Sequence, residues 1–308
     1  MIWSLEKKTC PIGVDMDTNT LKMVQLQNKP GGVSIVAGGC KTRPENIAPN
    51  SIEWQRWTIK AIKELTADSK FHGKDVVMAM SPQELFIEHI KVSKNSKEQP
   101  EQIILSRIKR RFGKNETVIK HIALDEENFL VTAMEREKIN RYLAVYEATH
   151  MHLKSIDIWP TALINSYIRF FGNRKSGVDK TVMLLDIAAN YTNMVICRHK
   201  DLLLAYSIPI GIEQLVNDEM MKKLIADLST CRHKSAAIDG GDNISMLFFL
   251  AGPTFDKQIC LTIAEHLQLP AQTGDCFTAT GISCCNNIGI DKEQTQFSWA
   301  TAFGLSLS

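Results

Sequence analysis

Two short stretches hold the polar residues of this chain that are spaced for chemistry. In residues 11–26 (PIGVDMDTNTLKMVQL), Asp15, Asp17, Thr18, Asn19, Thr20 and Lys22 crowd into one turn between apolar runs. In residues 181–197 (TVMLLDIAANYTNMVIC), Asp186, Ala189, Asn190 and Thr192 are placed in the same way. Turn amides flanked by small side chains can approach a phosphate, and a carboxylate ending each first strand can hold hydrated Mg²⁺. Asp15 and Asp186 are the candidate metal pair, and Lys22 can neutralise phosphate charge. No GxxxxGK[ST], GxSxG or HExxH pattern occurs, so those hydrolytic chemistries are excluded.

Each stretch reads as strand, polar turn, strand. Asp15, Asn19, Met23 and Val24 correspond to Asp186, Asn190, Met194 and Val195 at one offset (186 − 15 = 171). A single hairpin with Asp and Asn at its turn is ordinary turn chemistry. Two copies in matched register point instead to tips facing each other across a cleft, the layout of actin-like nucleotide folds. Around the first copy, VSIVAGGC makes a third strand, residues 50–69 carry helical spacing with Ser51 as cap, and DVVMAM is a buried strand. Residues 83–152 then read as a strand-helix-strand-strand-helix insert, and LKSIDIWP returns to the first domain.

Several stretches resemble PilM-like proteins of type IV pilus assembly, in chain order. IGVDMDTNTLKMVQL is similar to a family opening close to IGIDIGSSSVKAVEL. KDVVMAMSPQELFIEHIKV, LLDIAANYTNMVICRHKDLLLAYSIPIGIEQL and FLAGPTFDKQICLTIAEHLQLPAQ follow the family's later motifs, and WATAFGLSL closes the chain as ALGLAL closes theirs. The resemblance implies an α/β fold of two actin-like (ribonuclease H-like) domains. The first spans residues 1–171 and carries the insert; the second spans 180–308, with its own excursion shortened to about residues 211–246.

The resemblance also implies a partner, the cytoplasmic tail of a PilN-like inner-membrane protein, with the pilus assembly ATPase as a second one. The groove for the tail is expected near Phe86, Ile87 and Ile90, between the insert and the first domain. It further places a nucleotide at the two turns, with Glu213 and Gly252 completing the site. Here the sequence departs from the family: Asp17 stands where DIG has glycine, Ala188 replaces the second glycine, and GGG reads Ala251-Gly252-Pro253. A carboxylate at Asp17 repels a polyphosphate by roughly 4 kcal/mol at 4 Å in an intermediate dielectric. The expectation is therefore a degenerate cleft in which ATP and Mg²⁺ bind weakly and hydrolysis is lost. The alternatives are an actin-like protein that hydrolyses ATP and polymerises, and a GspL-like type II secretion component.

Composition sets the remaining bounds. Across 308 residues the net charge is only +2, which gives no whole-molecule drive toward nucleic acid or membrane. The densest basic cluster is local: Arg107, Lys109, Arg110, Arg111 and Lys114. It lacks interleaved aromatics, so nucleic acid is not the expected ligand. No stretch reaches the roughly 18 apolar residues of a spanning helix, and the eight cysteines are irregularly spaced with no CxxC. A soluble, reduced, cytoplasmic protein is expected, and the resemblance implies a peripheral position at the inner face of the inner membrane.

Overall fold

The computed structural model describes residues 9–17, 19–96, 98–172, 180–239, 241, 244–252, 254–281, 290 and 297–308. Thr18, Pro253, Cys284, Cys285, most of the linker at 172–179 and part of the loop at 239–243 lie outside them.

The first hairpin forms from strands β1 (Thr9–Met16) and β2 (Thr20–Lys29). Ile12, Val14, Met23 and Leu26 are fully buried, so the apolar residues flanking the polar turn fix the register. That register sets Asp15 directly opposite Lys22. β3 (Gly32–Thr42) continues the meander. Helix α1 (Ile52–Asp68) follows, its first turn capped by Ser51 Oγ, which accepts from the Trp54 amide at 3.0 Å. β4 (Asp75–Ala79) returns parallel to β1, and β8 (His152–Asp157) parallel to β4, giving the order β3-β2-β1-β4-β8.

The second half repeats this plan. β9 (Thr181–Ile187), β10 (Thr192–Arg198), β11 (Asp201–Ile208), β12 (Ile244–Leu250) and β13 (Ala271–Gly274) form a sheet of order β11-β10-β9-β12-β13. Three antiparallel strands extended by two parallel ones, used twice, is the duplicated actin-like architecture. In the excursion between β11 and β12 the sequence of residues 211–229 (GIEQLVNDEMMKKLIADLS) predicts a helix, and the structure starts that helix later. Residues 211–217 form turns, and a single helix α5 (Asp218–Asp239) follows. α6 (Lys257–Leu267) joins β12 to β13, and a short α7 (Cys276–Ala279) comes next.

Between β4 and β8 lies the insert: β5 (Phe86–Lys91), α2 (Pro100–Phe112), β6 (Thr117–Ala123), β7 (Asn128–Glu135) and α3 (Arg136–Thr149). Its strands make a separate sheet of order β5-β7-β6. α3 lays Tyr142, Val145 and Tyr146 on the core of the first domain beside Trp54 and Ile62.

Two helices lock the halves together. α4 (Trp159–Phe170) ends the first half and α8 (Ala300–Ser306) ends the second. They touch backbone to backbone: a Cβ on Gly304 would lie 1.8 Å from the Ala162 carbonyl oxygen, and Ser166 Oγ donates to the Ala300 carbonyl at 2.6 Å. α8 also packs on the first sheet. A Cβ on Gly13 would meet the Ala302 carbonyl oxygen at 2.1 Å, and Ser306 Oγ bridges the Pro11 carbonyl and the Leu26 amide. The end of the chain is thereby built into the first domain, which holds the two hairpin tips opposite each other.

Candidate functional site

Asp15 ends β1 and Asp186 lies near the end of β9. The cross-strand partner of Asp15 is Lys22 and that of Asp186 is Asn193, which are related by the same offset of 171 residues. The structure brings these four residues into one cluster between the domains. Burial pushes the Asp15 carboxyl up to about 7; Lys22 opposes the rise, while Asp17 and Asp186 add to it. Burial likewise raises Asp186 to about 6, against the pull of Lys22 and hydrogen bonds from Ser298 and Asn193. Each aspartate therefore senses charges across the domain boundary.

Most polar groups of the two tips are already used within the chain. Lys22 is 6% exposed, and its Nζ donates to the Ser298 carbonyl at 2.6 Å. Asp17 accepts from the buried Tyr191 hydroxyl, whose acidity is suppressed by burial and the nearby carboxylates. Asn19 Oδ1 accepts from Arg43 at 3.0 Å, and Asn190 Oδ1 from Gln214 at 3.3 Å. Thr192 Oγ1 donates to the Ile210 carbonyl at 2.7 Å. The Asp17 and Ala188 amides close their own turns onto the Thr20 and Tyr191 carbonyls. The Ala189 carbonyl accepts the Glu213 amide, and the Gly252 carbonyl the Phe255 amide. Thr20 Oγ1 and Asn193 Oδ1 are buried without a partner. Thr18 lies outside the described residues.

A magnesium-triphosphate would need free turn amides, a free ammonium and converging oxygen ligands. Among the described residues no three His, Cys, Asp or Glu side chains come together as a metal site, and the Lys22 ammonium is turned to a carbonyl. In this arrangement Lys22 and the Asp17 and Ala188 turn amides are engaged within the chain. Two participants escaped the sequence reading. Tyr191 occupies the position matching Thr20 at the constant offset, so the duplicated register held the signal. Ser298 reaches the cleft only through the packing of α8, which no local pattern reveals.

The expected groove at Phe86, Ile87 and Ile90 is corrected by strand alternation. Ile90 is 1% exposed inside the insert's own core, and Phe86 joins that core, edge-on to Phe112 at 5.6 Å. Ile87 points the other way, into the core shared by the two large domains. These three residues form no common open surface. At the expected junction of the insert and the first domain lies a cavity of about 190 Å³, with Asn50, Trp54, Ser81, Glu84, Lys138 and Tyr142 among its walls. Trp54 and Tyr142 meet edge to face at 5.6 Å. Tyr142 OH donates to Glu84 Oε2, while Glu84 Oε1 and Ser81 Oγ are buried with no partner.

The sequence holds two Cys-x-His stretches, Cys197-Arg198-His199 and Cys231-Arg232-His233, and they share no site: Cys197 lies in the interdomain core and Cys231 in the core of the second domain.

Comparison with known proteins agrees with this architecture. The family described as type IV pilus assembly protein PilM matches residues 13–227. Among solved structures, a PilM-PilN type IV pilus biogenesis complex superposes with a TM-score of 0.69 at 16% identity, covering 96% of this chain and 97% of that one. The ethanolamine utilization protein EutJ from Carboxydothermus hydrogenoformans gives a TM-score of 0.53 at 11% identity, covering 100% and 92%. No curated protein matches the sequence at a significant level.

Proposed function

The chain belongs to the PilM family of type IV pilus assembly proteins, and from that premise we propose that it is an adaptor for the cytoplasmic tail of a PilN-like membrane protein and needs no nucleotide. The observation carrying this reading is the cavity between insert and first domain, with Ser81 Oγ and Glu84 Oε1 buried and unpaired. A buried acceptor left unpaired costs about 1–3 kcal/mol, so these atoms favour any ligand that brings donors. An extended peptide brings main-chain N–H groups and a side chain to lie against the Trp54–Tyr142 wall. Lys138 at the cavity edge suits an acidic or carbonyl group on the same peptide.

The cleft supports the second half of the reading. Lys22 donates to the Ser298 carbonyl and Asp17 accepts from Tyr191, so the groups that would meet a phosphate already have partners within the chain. The protein then sits at the cytoplasmic face of the inner membrane because its partner does, and the assembly ATPase is a second partner of the same scaffold.

Calorimetric titration with a peptide of the partner's tail, taken from a single-span membrane protein encoded beside this chain, tests the cavity. Glu84→Gln removes the charged acceptor and keeps the shape, so binding should weaken about tenfold or more, as loss of a hydrogen bond to a charged group does. Unchanged affinity in Glu84→Gln and in Lys138→Ala would remove the cavity from the account. Phosphate release from Mg-ATP above background would favour the filament-forming ATPase instead.

A further inference from the structure

Helix α2 is the outermost layer of the insert. Ile104 and Ile108 pack with Phe129, Val131 and Ala133 on one face of the β5-β7-β6 sheet, whereas Leu130 on the other face joins the core shared with the large domains. The opposite side of α2 therefore turns outward. It carries Gln102, Leu105, Ser106, Lys109 and Arg110 around a shallow depression. Leu105 is 43% exposed there.

Two neighbouring cations are tied to the insert itself: Arg107 pairs with Glu88, and Arg111 lies over the Phe86 ring at 5.9 Å. Lys109, Arg110 and, past Gly113, Lys114 are left exposed. Basic residues in a last helical turn complement the helix dipole. That accounts for some of these cations but gives no reason for a leucine exposed beside them. An anionic bilayer accounts for both features, because headgroup phosphates attract the cations while the leucine and the aliphatic stems enter the headgroup boundary.

We propose that the outward face of α2, with Leu105, Lys109, Arg110 and Lys114, is a docking surface for an anionic lipid bilayer. Among the described residues of this face none is aromatic, so it offers nothing for the bases of a nucleic acid to stack on. Three cations and one leucine make a weak anchor, and stable attachment takes two signals. The inference rests on the reading that a membrane protein's tail supplies the other signal. Tail capture raises the local concentration of the α2 face at the bilayer, and lipid contact in turn slows escape from the tail.

The full chain, without tail peptide, is sedimented at low salt with vesicles of phosphatidylglycerol mixed into phosphatidylcholine, and with phosphatidylcholine alone. Binding is expected only to the anionic vesicles and should fall with added salt. Lys109→Gln and Arg110→Gln should each reduce the partition coefficient about fivefold, and Leu105→Asp should abolish binding. All three positions are exposed, so unchanged melting curves check that the fold is intact. Equal binding to neutral vesicles, no binding to either, or variants that bind like the unaltered chain would each overturn the proposal. Titration of the same variants with tail peptide keeps the two readings separate, because a lost tail site leaves vesicle binding intact and a lost lipid surface leaves peptide affinity intact.

Discussion

At the scale of single residues, the cluster between the tips is held in an uneasy charge state. Burial carries Asp15 from its ordinary 3.8 to about 7 and Asp186 to about 6, so the folded protein keeps protons that the unfolded chain has released. A raised carboxyl contributes stability that is fully present below the unfolded value and is lost as pH climbs through the folded one. The melting temperature should therefore fall as pH rises from about 4 to about 7, and Asp15→Asn, which stays neutral, should flatten that fall. A pH scan of thermal unfolding with an unchanged slope in Asp15→Asn would contradict the assignment. Lys22→Met leaves the Ser298 carbonyl unpaired and withdraws the cation nearest both carboxyls, at a cost of about 1–3 kcal/mol measured by urea unfolding. The aspartates and the lysine were legible from type and spacing. Tyr191 and Ser298 were not, because their roles depend on which side chains the closed domains bring together.

At the scale of elements, the strands were the most legible part, since alternating or continuous apolar runs bounded by polar turns have one way to be buried. α1 was legible through its cap: Ser51→Ala should cost about 1 kcal/mol in a denaturant melt, and no loss would mean that the cap is idle. The segment after β11 departs from its helical composition: residues 211–217 close short turns, with the Gln214 and Leu215 amides on the Gly211 carbonyl and the Asn217 amide on that of Gln214. The Ile212 and Glu213 amides bond to the Ala188 and Ala189 carbonyls, and a Cβ on Gly211 would lie 2.4 Å from the Ala189 carbonyl oxygen. Phe86, Ile87 and Ile90 share no face, because successive residues of β5 alternate: Phe86 and Ile90 pack on the insert's core and Ile87 on the core shared with the large domains. α4 and α8 show the opposite case, in which small residues are required by backbone contact. Gly304→Ala should destabilise by about 3 kcal/mol or more, since the clash is with rigid backbone rather than a side chain. A melt matching that of the unaltered protein would show that the helices can separate without cost.

At the scale of the whole molecule, duplication is the organising fact. Two equal sheets, each starting with a hairpin that ends in aspartate, are closed on one another by helices that cross between the halves. Between them Lys22 donates to the Ser298 carbonyl and Asp17 accepts from the Tyr191 hydroxyl, which ties the two halves at the tips. α3 of the insert packs on the core of the first domain beside Trp54 and Ile62, with the small cavity at their junction. On the proposed reading the protein is an adaptor whose partner site does not wait on ATP. Calorimetric titration of the full chain with the partner's tail peptide, run without nucleotide and again with saturating Mg-ATP, tests this most directly. The account predicts saturable binding of equal affinity in both runs. Peptide binding that appears only with Mg-ATP would contradict it, as would no peptide binding in either run.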